Sequence, residues 1–578
     1  MNKVETALVN TEIAKLLDQK VIFFAPDFEP GQFVSTIFTR PKKDGGLRLI
    51  LNLKKFNENV EYRKFKMDSL LSAVDLISPD MWMASVDLKS AYFSCPIALE
   101  HQKFLKFIWQ GKTYKFAVLP NELACCPRRF TKLLKPVFAH LRNLGFYIVG
   151  LIDDLLILHE DRDKCLEGVQ TTVDLLTKLG FIIHEQKSVL EPTQEITFLG
   201  FVLNSRTMQV TLDSSKTNNI KDICLKTLKS KKLTIHDLAV VTGKIISVFP
   251  AALYGQLHYR DLECLKINEL RKQQSFRKDW DAICTLNEGA RNELRWWVEN
   301  IENIAKPMFI PPPEVTIFTD ASSRGWGAFL YGVHANGRFS EAEAPLSINT
   351  KECLAIMYGL RSFTDRLKGC NVLVQTDNTT AVSVVSKFGT VQSDLRNKIS
   401  RQIWSWAIEN SVWVQVTHIP GLLNVEADWA SRNFNERTEW ELNQSVFDQI
   451  NAELGPCYID LMATNLNKKL ARYVSWFPDP GSFHVDAFTL NWKELNRCYC
   501  FPPFRMIPRI LQKIRMERVE MVLVVPEWPT QTWFPQLWNM TVMEPVWIRN
   551  CPLTLPWDRT LEHPLQMTLL AVRISGIS

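Results

Sequence analysis

The apolar stretch from Tyr147 to Leu158 is interrupted by two adjacent acids, Asp153 and Asp154. A continuous apolar run predicts strands that are buried on both faces of a sheet. An unpaired carboxylate inside such a strand would be strongly destabilising because it loses its hydration. The pattern therefore predicts a hairpin whose tip carries both acids, either onto a divalent cation or into solvent as an ordinary polar turn.

The chain upstream and just downstream of this stretch shows the periodicities of further strands and helices. The predicted elements are a short helix from Ile13 to Val21, a hairpin of two β-rich runs joined by Asp44-Gly45-Gly46, a strand ending at Asp87, a basic helix from about Pro127, and a short hairpin at Phe198-Leu199-Gly200-Phe201. The first hairpin carries Lys42, Lys43 and Arg48 near its turn. It could close over a phosphate chain as a basic flap, or be a plain surface hairpin.

Downstream, residues 213–305 have a helical pattern and end before the Pro311-Pro312-Pro313 linker. They predict either bundled helices that contact a duplex or a spacer. Beyond the linker, four acids fall at strand ends or on helices, namely Asp320, Glu352, Asp377 and Asp428. From 445 to 545 strands alternate with helices, which predicts a doubly wound α/β domain.

Composition narrows the class of protein. A chain of 578 residues, 46% hydrophobic and 22% charged, is typical of a globular protein with about three to five domains. Its 13 cysteines are an odd number without a Cys-x-x-Cys pair, which argues against a disulfide framework and a structural zinc site. We expect an intracellular protein, cytoplasmic or nuclear, without a signal peptide, a transmembrane segment or a membrane partner.

Charge is unevenly distributed. Residues 101–150 hold nine Lys/Arg against one acid, residues 201–250 hold eight against three, and the intervening block holds four against ten. A polyanion bound by the basic flanks and a metal bound at the centre would account for this pattern. Solvated helix faces would account for it equally well.

Several motifs occur in the order and spacing of reverse transcriptases. They are Asp87 with Tyr92, the Leu-Pro-x-x-Leu-x-x-x-Pro-x-x-Phe string at 119–130, Asp153-Asp154, Leu179-Gly180-Phe181 with Lys187, and Phe198-Leu199-Gly200. This resemblance implies fingers and palm at 1–212 and a helical thumb or connection at 213–310. It also implies phosphoryl transfer with two Mg²⁺ held by Asp87 and Asp153, with Asp154 in support.

The same resemblance implies how substrates are held. Tyr92 would form the floor of the sugar pocket and select dNTPs, while Arg48, with Lys42 or Lys43, would neutralise the triphosphate. Phe198, Leu199 and Gly200 would grip the DNA primer, which is paired with an RNA template. Two positions depart from the family pattern: Leu151 replaces Tyr or Phe, and Asn121-Glu122 replaces Phe-Gly or Gln-Gly.

The region 314–434 resembles RNase H. Its motifs are Asp320-Ala-Ser, Thr376-Asp-Asn-x-x-Ala-Val, and His418-Ile-Pro-Gly with Asn424-x-x-Ala-Asp-x-x-Ser-Arg432. The resemblance implies that Asp320, Glu352, Asp377 and Asp428 hold two Mg²⁺ around the scissile phosphate of an RNA–DNA hybrid. We expect His418 to be structural.

The region 445–578 resembles a Dam-like adenine methyltransferase, on the strength of Asp460, Val485-Asp486-Ala487-Phe488 and Phe501-Pro502-Pro503-Phe504. Phe501 stands where the family has the amide or acid that accepts the amino proton. We therefore expect a degenerate domain without S-adenosylmethionine activity. The three regions together resemble the polyprotein of a DIRS-like, gypsy-related retrotransposon, whose separate recombinase would be a partner.

The expected fold is thus multidomain α+β and α/β: a right-hand polymerase, an RNase H-like domain and a C-terminal doubly wound domain. Three functions stay open. The first is an RNA-directed DNA polymerase with RNase H activity. The second, motivated by Asn121-Glu122, Leu151 and Phe501, is a decayed or repurposed copy that binds nucleic acid without polymerising. The third is a metal-dependent nuclease only.

Overall fold

The computed structural model describes residues 3–41, 47–273, 278–434, 440–549, 553–564 and 567–577. These residues form two compact units. One comprises 1–259 with 269–310, and the other 260–268 with 311–578. Within the described ranges, no helix is long and apolar enough to cross a membrane.

The first unit is built from short, mainly antiparallel sheets and nine helices of the described chain, and β2 and β6 form a parallel pair. Its strands are β1 (Ile22–Phe24), β2 (Val34–Ser35), β3 (Ile37–Pro41), β4 (Leu47–Leu51), β5 (Trp82–Asp87), β6 (Lys106–Trp109), β7 (Lys112–Phe116), β8 (Tyr147–Leu151), β9 (Asp154–His159), β10 (Val189–Thr193), β11 (Glu195–Phe198), β12 (Phe201–Asn204), β13 (Gln209–Leu212), β14 (Leu233–Thr234), β15 (Ile283–Cys284) and β16 (Ala305–Pro307). Its helices are α1 (Lys3–Asp18), α2 (Lys54–Asn57), α3 (Leu70–Val74), α4 (Cys126–Asn143), α5 (Arg162–Lys178), α6 (Ser214–Lys229), α7 (Ile235–Ile246), α8 (Arg260–Lys272, shared with the second unit) and α9 (Glu288–Asn300).

The central sheet of this unit has the strand order β10-β5-β9-β8 and is antiparallel throughout. Alternate residues of β9 enter two different cores. Leu155 and Ile157 pack with α4 and α5, while Leu156 and Leu158 pack with residues of β11 and β12. The sheet is therefore covered on both faces, which explains the unbroken apolar run in the sequence.

The N-terminal helix lies earlier than the sequence pattern predicted. Helix α1 spans Lys3–Asp18 rather than Ile13–Val21. Val9, Ile13 and Leu16 share its buried face at helical spacing, and Lys20 ends the turn after it with a φ of 56°. The expectation was wrong because it gave too little weight to the apolar positions before residue 13.

The remaining sheets of the first unit have the orders β1-β7-β6-β2 and β11-β12-β13-β16, and β3 pairs with β4 as the predicted hairpin. The hairpin at 198–201 is also confirmed: Phe198 pairs with Phe201, with Leu199 and Gly200 at positive φ in the turn. The segment 213–305 is mainly helical, as predicted.

The second unit contains two five-stranded sheets. Its strands are β17 (Val315–Ala321), β18 (Gly325–Leu330), β19 (Val333–Arg338), β20 (Asn371–Thr376), β21 (Trp413–His418), β22 (Ile459–Asp460), β23 (Val474–Ser475), β24 (His484–Val485), β25 (Cys498–Cys500), β26 (Glu520–Pro526), β27 (Val546–Ile548), β28 (Thr554–Leu555), β29 (Asp558–Glu562) and β30 (Leu569–Ser575). Its helices are α10 (Ile348–Ser362), α11 (Thr364–Leu367), α12 (Thr379–Ser386), α13 (Asp394–Glu409), α14 (Val425–Arg432), α15 (Gln444–Leu454), α16 (Ile507–Glu517) and α17 (Phe534–Met540).

The first of these sheets has the order β19-β18-β17-β20-β21, in which β19, β18 and β17 are antiparallel and β17, β20 and β21 are parallel. The second has the order β22-β25-β26-β30-β27. Helices α16 and α17 pack on one of its faces and α15 on the other, which is the layering of an α/β domain. This second sheet is mixed, because β30 runs antiparallel to both neighbours.

Candidate functional site

The two acids of the apolar run lie at the tip of the β8–β9 hairpin, as the sequence predicted. Leu151 pairs with Asp154, so that Ile152 and Asp153 form a two-residue turn. Ile152 has a φ of 57°, a left-handed conformation that is costly for a β-branched residue. A strained tip of this kind is held by the rest of the sheet and fixes the direction of the adjacent Asp153.

Asp87 is brought to the same place by the neighbouring strand. It is the last residue of β5 and the register partner of Asp154 on β9. Its backbone N–H donates to Ser188 Oγ at 3.0 Å, and its carbonyl accepts from His184 N–H at 2.8 Å. Leu88 N–H donates to the Asp153 carbonyl at 2.8 Å. Two strands and the 182–188 loop therefore fix the backbone around all three acids.

The proximity of these carboxyls changes their acidity. Burial, followed by the charges of Asp153 and Asp87, raises the pKa of Asp154 to about 6, against an opposing effect of Lys187. Burial also raises the pKa of Asp87, against the effect of Lys187. Lys187 is thus a cation that faces the acids, and its role was not assigned from the sequence. Among the described residues, the oxygens of Asp87, Asp153 and Asp154 do not form a tight three-ligand cluster.

Tyr92 lies beside the acids in the short 3₁₀ helix Ala91–Ser94. Its ring makes an edge contact with Phe130 of α4, at 5.6 Å between centroids. Burial first, and then Cys126 and Asp153, raise its pKa to about 12. The ring is therefore neutral and fixed between the acids and α4.

The loop before α4 contains the departure noted in the sequence. Glu122 is exposed and has a φ of 72°, a conformation that favours glycine. Asn57 anchors this loop: its side-chain amide donates to the Glu122 carbonyl at 2.8 Å and its oxygen accepts from Ala124 N–H at 2.9 Å. The backbone has kept a glycine-type conformation while its side chain carries a negative charge.

The other predicted substrate contacts lie on two hairpins. Lys42 and Lys43 lie outside the described residues, and Arg48 is paired through its backbone with Arg40 in the β3–β4 hairpin. In the 198–201 hairpin Phe198 is buried, and Lys216 Nζ lies 3.6 Å from the centre of the Phe201 ring. A cation thus lies against this turn, and the sequence pattern had not singled it out.

The second unit brings three of its four predicted acids together. Asp320 is in β17, Glu352 is in α10, and Asp377 directly follows β20. Ligand oxygens of the three lie within 4.8 Å of one another. Burial, and then the charges of Asp320 and Asp377, raise the pKa of Glu352 to about 9, while burial also raises the pKa of Asp320. The carboxyls of this cluster therefore hold protons unless a metal cation takes their place.

The cluster has the properties of a magnesium or manganese site. Its donors are carboxylate oxygens, which hard divalent cations prefer. Among the described residues, the buried Oδ2 of Asp320 has no hydrogen-bond partner, so one ligand atom is unsatisfied by protein. Thr376 Oγ1 donates to Glu352 Oε2 at 3.4 Å.

The fourth acid, Asp428 of α14, is held outside this cluster. Arg432 donates to its Oδ1 from Nε at 2.9 Å and from Nη2 at 2.6 Å. Arg432 belongs to the Ser-Arg end of the sequence motif, but its i, i+4 ion pair with Asp428 was not predicted from the sequence. Asn424, just before α14, is buried and donates to the Thr319 carbonyl at 3.0 Å, which ties the helix to β17.

Two glycines allow the close approach that this site needs. Gly327 pairs with Asp320 across β17 and β18, and a Cβ there would lie 2.4 Å from Ala427 O and from Ser431 N of α14. A Cβ on Gly421 would lie 2.9 Å from Asp377 Oδ2. Gly327 therefore allows α14 to approach β18, and Gly421 allows the segment before α14 to approach Asp377. His418 is an exposed residue at the end of β21.

The C-terminal sheet places its own acid in the interior. Asp460 ends β22, accepts from Lys469 N–H at 3.1 Å, and has its pKa raised to about 6 by burial. Phe501 follows β25 and packs its ring 6.4 Å from Phe504. The side chain of Phe501 is apolar and therefore offers no hydrogen-bond acceptor at that position.

Three protein families match successive parts of the chain. Residues 40–203 match the reverse transcriptase (RNA-dependent DNA polymerase) family, residues 311–407 the RNase H-like domain found in reverse transcriptase, and residues 431–558 DNA N-6-adenine-methyltransferase (Dam). The matches follow the order of the regions predicted from the sequence.

Curated relatives are viral polyproteins. The chain is 24% identical over 443 residues to the enzymatic polyprotein of Cauliflower mosaic virus (strain Strasbourg), covering 74% of this chain and 61% of that protein. For the enzymatic polyprotein of Figwort mosaic virus (strain DxS) the identity is 23% over 412 residues, covering 68% and 57%. The chain thus spans about three fifths of the length of these relatives.

Solved structures similar to this chain include foamy viral protease-reverse transcriptase. The complex with an RNA/DNA hybrid is 18% identical with a TM-score of 0.46, covering 73% of this chain and 55% of that one. The complex of the dRH form with double-stranded DNA is 18% identical with a TM-score of 0.45, covering 71% and 69%.

Proposed function

We propose that this chain, which contains a reverse transcriptase domain at 40–203 and an RNase H-like domain at 311–407, is an RNA-directed DNA polymerase with ribonuclease H activity. One observation carries the proposal. The β5–β9 register sets Asp87 opposite Asp154, and the β8–β9 turn sets Asp153 beside them. Three acids concentrated at one sheet end need a cation, and phosphoryl transfer is the reaction that metals held by such acids support.

Each side chain has a distinct role in this proposal. Asp87 and Asp153 would hold the two Mg²⁺, and Asp154 would support them. When bound, these ions lower the pKa of the attacking hydroxyl and neutralise the triphosphate. Tyr92 would pack under the sugar of the incoming dNTP, and its fixed ring supports that role.

The contacts to nucleic acid are proposed on the same basis. Lys42, Lys43 and Arg48 would bind the triphosphate, and the pairing of β3 with β4 on either side of residues 42–46 supports this role. Phe198, Leu199 and Gly200 would contact the primer strand, with Lys216 as an additional cation beside them.

For RNase H cleavage, Asp320, Glu352, Asp377 and Asp428 would hold two further Mg²⁺ around the scissile phosphate. The clustering of Asp320, Glu352 and Asp377 supports their role as metal ligands. Asp428 would complete the site by binding a metal ion in place of Arg432. Asn424 and Gly327 would position α14.

We also propose the origin of the chain. It would belong to a DIRS-like, gypsy-related retrotransposon and act with a separate recombinase in the cytoplasm or nucleus, where its RNA template is available. The Dam-like match at 431–558 supports this origin. In the C-terminal domain, Phe501 lacks the acceptor that methyl transfer needs, so the domain would be degenerate.

Primer extension on an RNA template by the purified full chain tests the polymerase function. We expect Mg²⁺-dependent dNTP incorporation that is lost in Asp153→Asn. The alternative of a decayed copy predicts no incorporation by the wild-type chain and good incorporation by an Asn121→Phe, Glu122→Gly double variant. Similarity to viral enzymatic polyproteins favours the first function. The nuclease-only alternative predicts hybrid cleavage without incorporation by either protein.

A further inference from the structure

A cavity of about 340 Å³ lies in the C-terminal domain where its parallel strands begin. The starts of β25 and β26, the segment after α15 and the turn before β25 surround it. Ligand pockets in proteins have volumes of about 300–1,000 Å³, so this cavity is large enough for one nucleotide. It lies at the start of the strands, whereas Asp460 ends β22 and Phe501 follows β25.

Positive charge dominates the cavity wall. Four of its residues are cations, Lys493, Arg497, Arg518 and Arg573, and one is an acid, Glu520. Arg573 donates to Glu520, so this acid is already paired. Within the described part of the chain, no ion pair is formed by Lys493, Arg497 or Arg518. Three cations at one cavity that no acid pairs within the described residues attract an anion.

The floor of the cavity is apolar. Trp492 and Met521 are buried, and Leu495 is half-buried. The Trp492 indole N–H donates to the Ala487 carbonyl at 2.7 Å, which fixes the ring. These residues close the cavity from below, and the exposed side chains of Lys493, Arg497 and Arg518 are the groups available to a phosphate.

The backbone conformation positions two of these cations. Arg497 and Arg518 both have positive φ, at 53° and 54°; Arg497 directly precedes β25 and Arg518 lies two residues before β26. The Arg497 guanidinium lies 5.9 Å from the centre of the Tyr458 ring. These two arginines therefore leave the starts of adjacent parallel strands side by side.

We propose that this cavity binds the phosphate of a nucleotide, with Arg497, Arg518 and Lys493 as its ligands. The nucleotide is either a unit of a single-stranded nucleic acid or a free nucleotide, since both carry the same phosphate chemistry. The site is separate from the carboxylates of both proposed catalytic centres, and it does not depend on their activity.

Hydrogen exchange on the full chain tests this site. EDTA is included so that metal-dependent binding elsewhere does not contribute. The probes are a short single-stranded oligodeoxynucleotide, AMP and inorganic phosphate. We expect at least one probe to slow exchange severalfold in both 493–498 and 517–522. Slowing by the oligonucleotide alone identifies a nucleic-acid strand as the ligand, and slowing by AMP or phosphate identifies a free nucleotide or phosphate.

The Arg497→Gln, Arg518→Gln double variant should lose this slowing. The matched control Arg515→Gln, an exposed arginine on α16 that does not line the cavity, should keep it. The wild-type measurement does not depend on the folding of any variant. Unchanged exchange in wild type with all three probes, slowing that persists in the double variant, or equal loss in Arg515→Gln would each overturn the proposal.

Discussion

Asp87 and Asp154 are direct register partners on the antiparallel strands β5 and β9. Like charges directly opposite each other on neighbouring strands are destabilising. Burial first, and then the charges of neighbouring carboxyls, raises the pKa of Asp154 to about 6, and burial also raises the pKa of Asp87. A bound cation would offset both effects, so the register that places these acids together favours a metal.

Replacing Glu352 by Gln should raise the melting temperature of the metal-free protein above neutral pH. The pKa of Glu352 rises from 4.5 to about 9 on folding, so folding takes up a proton between these values. Stability therefore falls as pH rises across that window, and glutamine removes the fall. We expect a gain of about 2–5 °C at pH 8 and almost none near pH 5.

Thermal unfolding in EDTA measures this difference, with Glu409→Gln on the exposed face of α13 as the control. Added Mg²⁺ should reverse the order, because only the wild-type cluster would gain a metal. A gain in Glu352→Gln that does not change with pH would show that the buried carboxyl is not the cause.

Substituting Ala at Gly327 should displace α14. The added Cβ would meet backbone atoms of Ala427 and Ser431, which cannot move independently. We expect destabilisation of about 1–3 kcal/mol and loss of hybrid cleavage, with primer extension unchanged. Gly243→Ala is the control, because this exposed helical glycine has open space and should gain about 0.5–1 kcal/mol. Equal effects of both variants on hybrid cleavage would contradict the role of α14.

Glu122 should weaken nucleic-acid binding through both its charge and its backbone. Glu122→Gln removes only the charge, whereas Glu122→Gly also removes a left-handed strain of about 1 kcal/mol. Fluorescence anisotropy with an RNA–DNA hybrid should show tighter binding for both variants, most clearly at low salt. Only the glycine variant should also melt at a higher temperature. Weaker binding by either variant would mean that the acid makes a favourable contact.

Removing Arg432 should free Asp428 for metal. The two side chains are 61% and 45% exposed, and ion pairs of this kind contribute about 0.2–1 kcal/mol. Arg432→Gln should therefore increase Mn²⁺ affinity about two- to fivefold. Metal titration in an Asp153→Asn background isolates this site, and Arg324→Gln, another exposed arginine of the same unit, serves as control. Unchanged or weaker affinity in Arg432→Gln would refute the competition.

The sequence predicted the elements whose signals are local. The apolar run at 147–158 gave the β8–β9 hairpin, and Asp320, Glu352 and Asp377 fell on strand ends and a helix as expected. The i, i+4 contact of Arg432 with Asp428 is local, but it depends on side-chain directions that the sequence motif did not specify. Contacts between distant segments were not predictable, and the approach at Gly327 depends on the packing of α14 against β18. The antiparallel orientation of β30 likewise depends on its pairing with β26, which lies about 50 residues earlier in the chain.

Two activities measured side by side on the full chain and two variants test the central claim most directly. Primer extension and hybrid cleavage are followed in wild type, Asp153→Asn and Asp377→Asn. The account predicts that Asp153→Asn loses dNTP incorporation and keeps cleavage, while Asp377→Asn does the reverse. Absence of incorporation by wild type, with incorporation by the Asn121→Phe, Glu122→Gly variant, would contradict a functional polymerase. Loss of both activities in Asp153→Asn would contradict two separate metal sites.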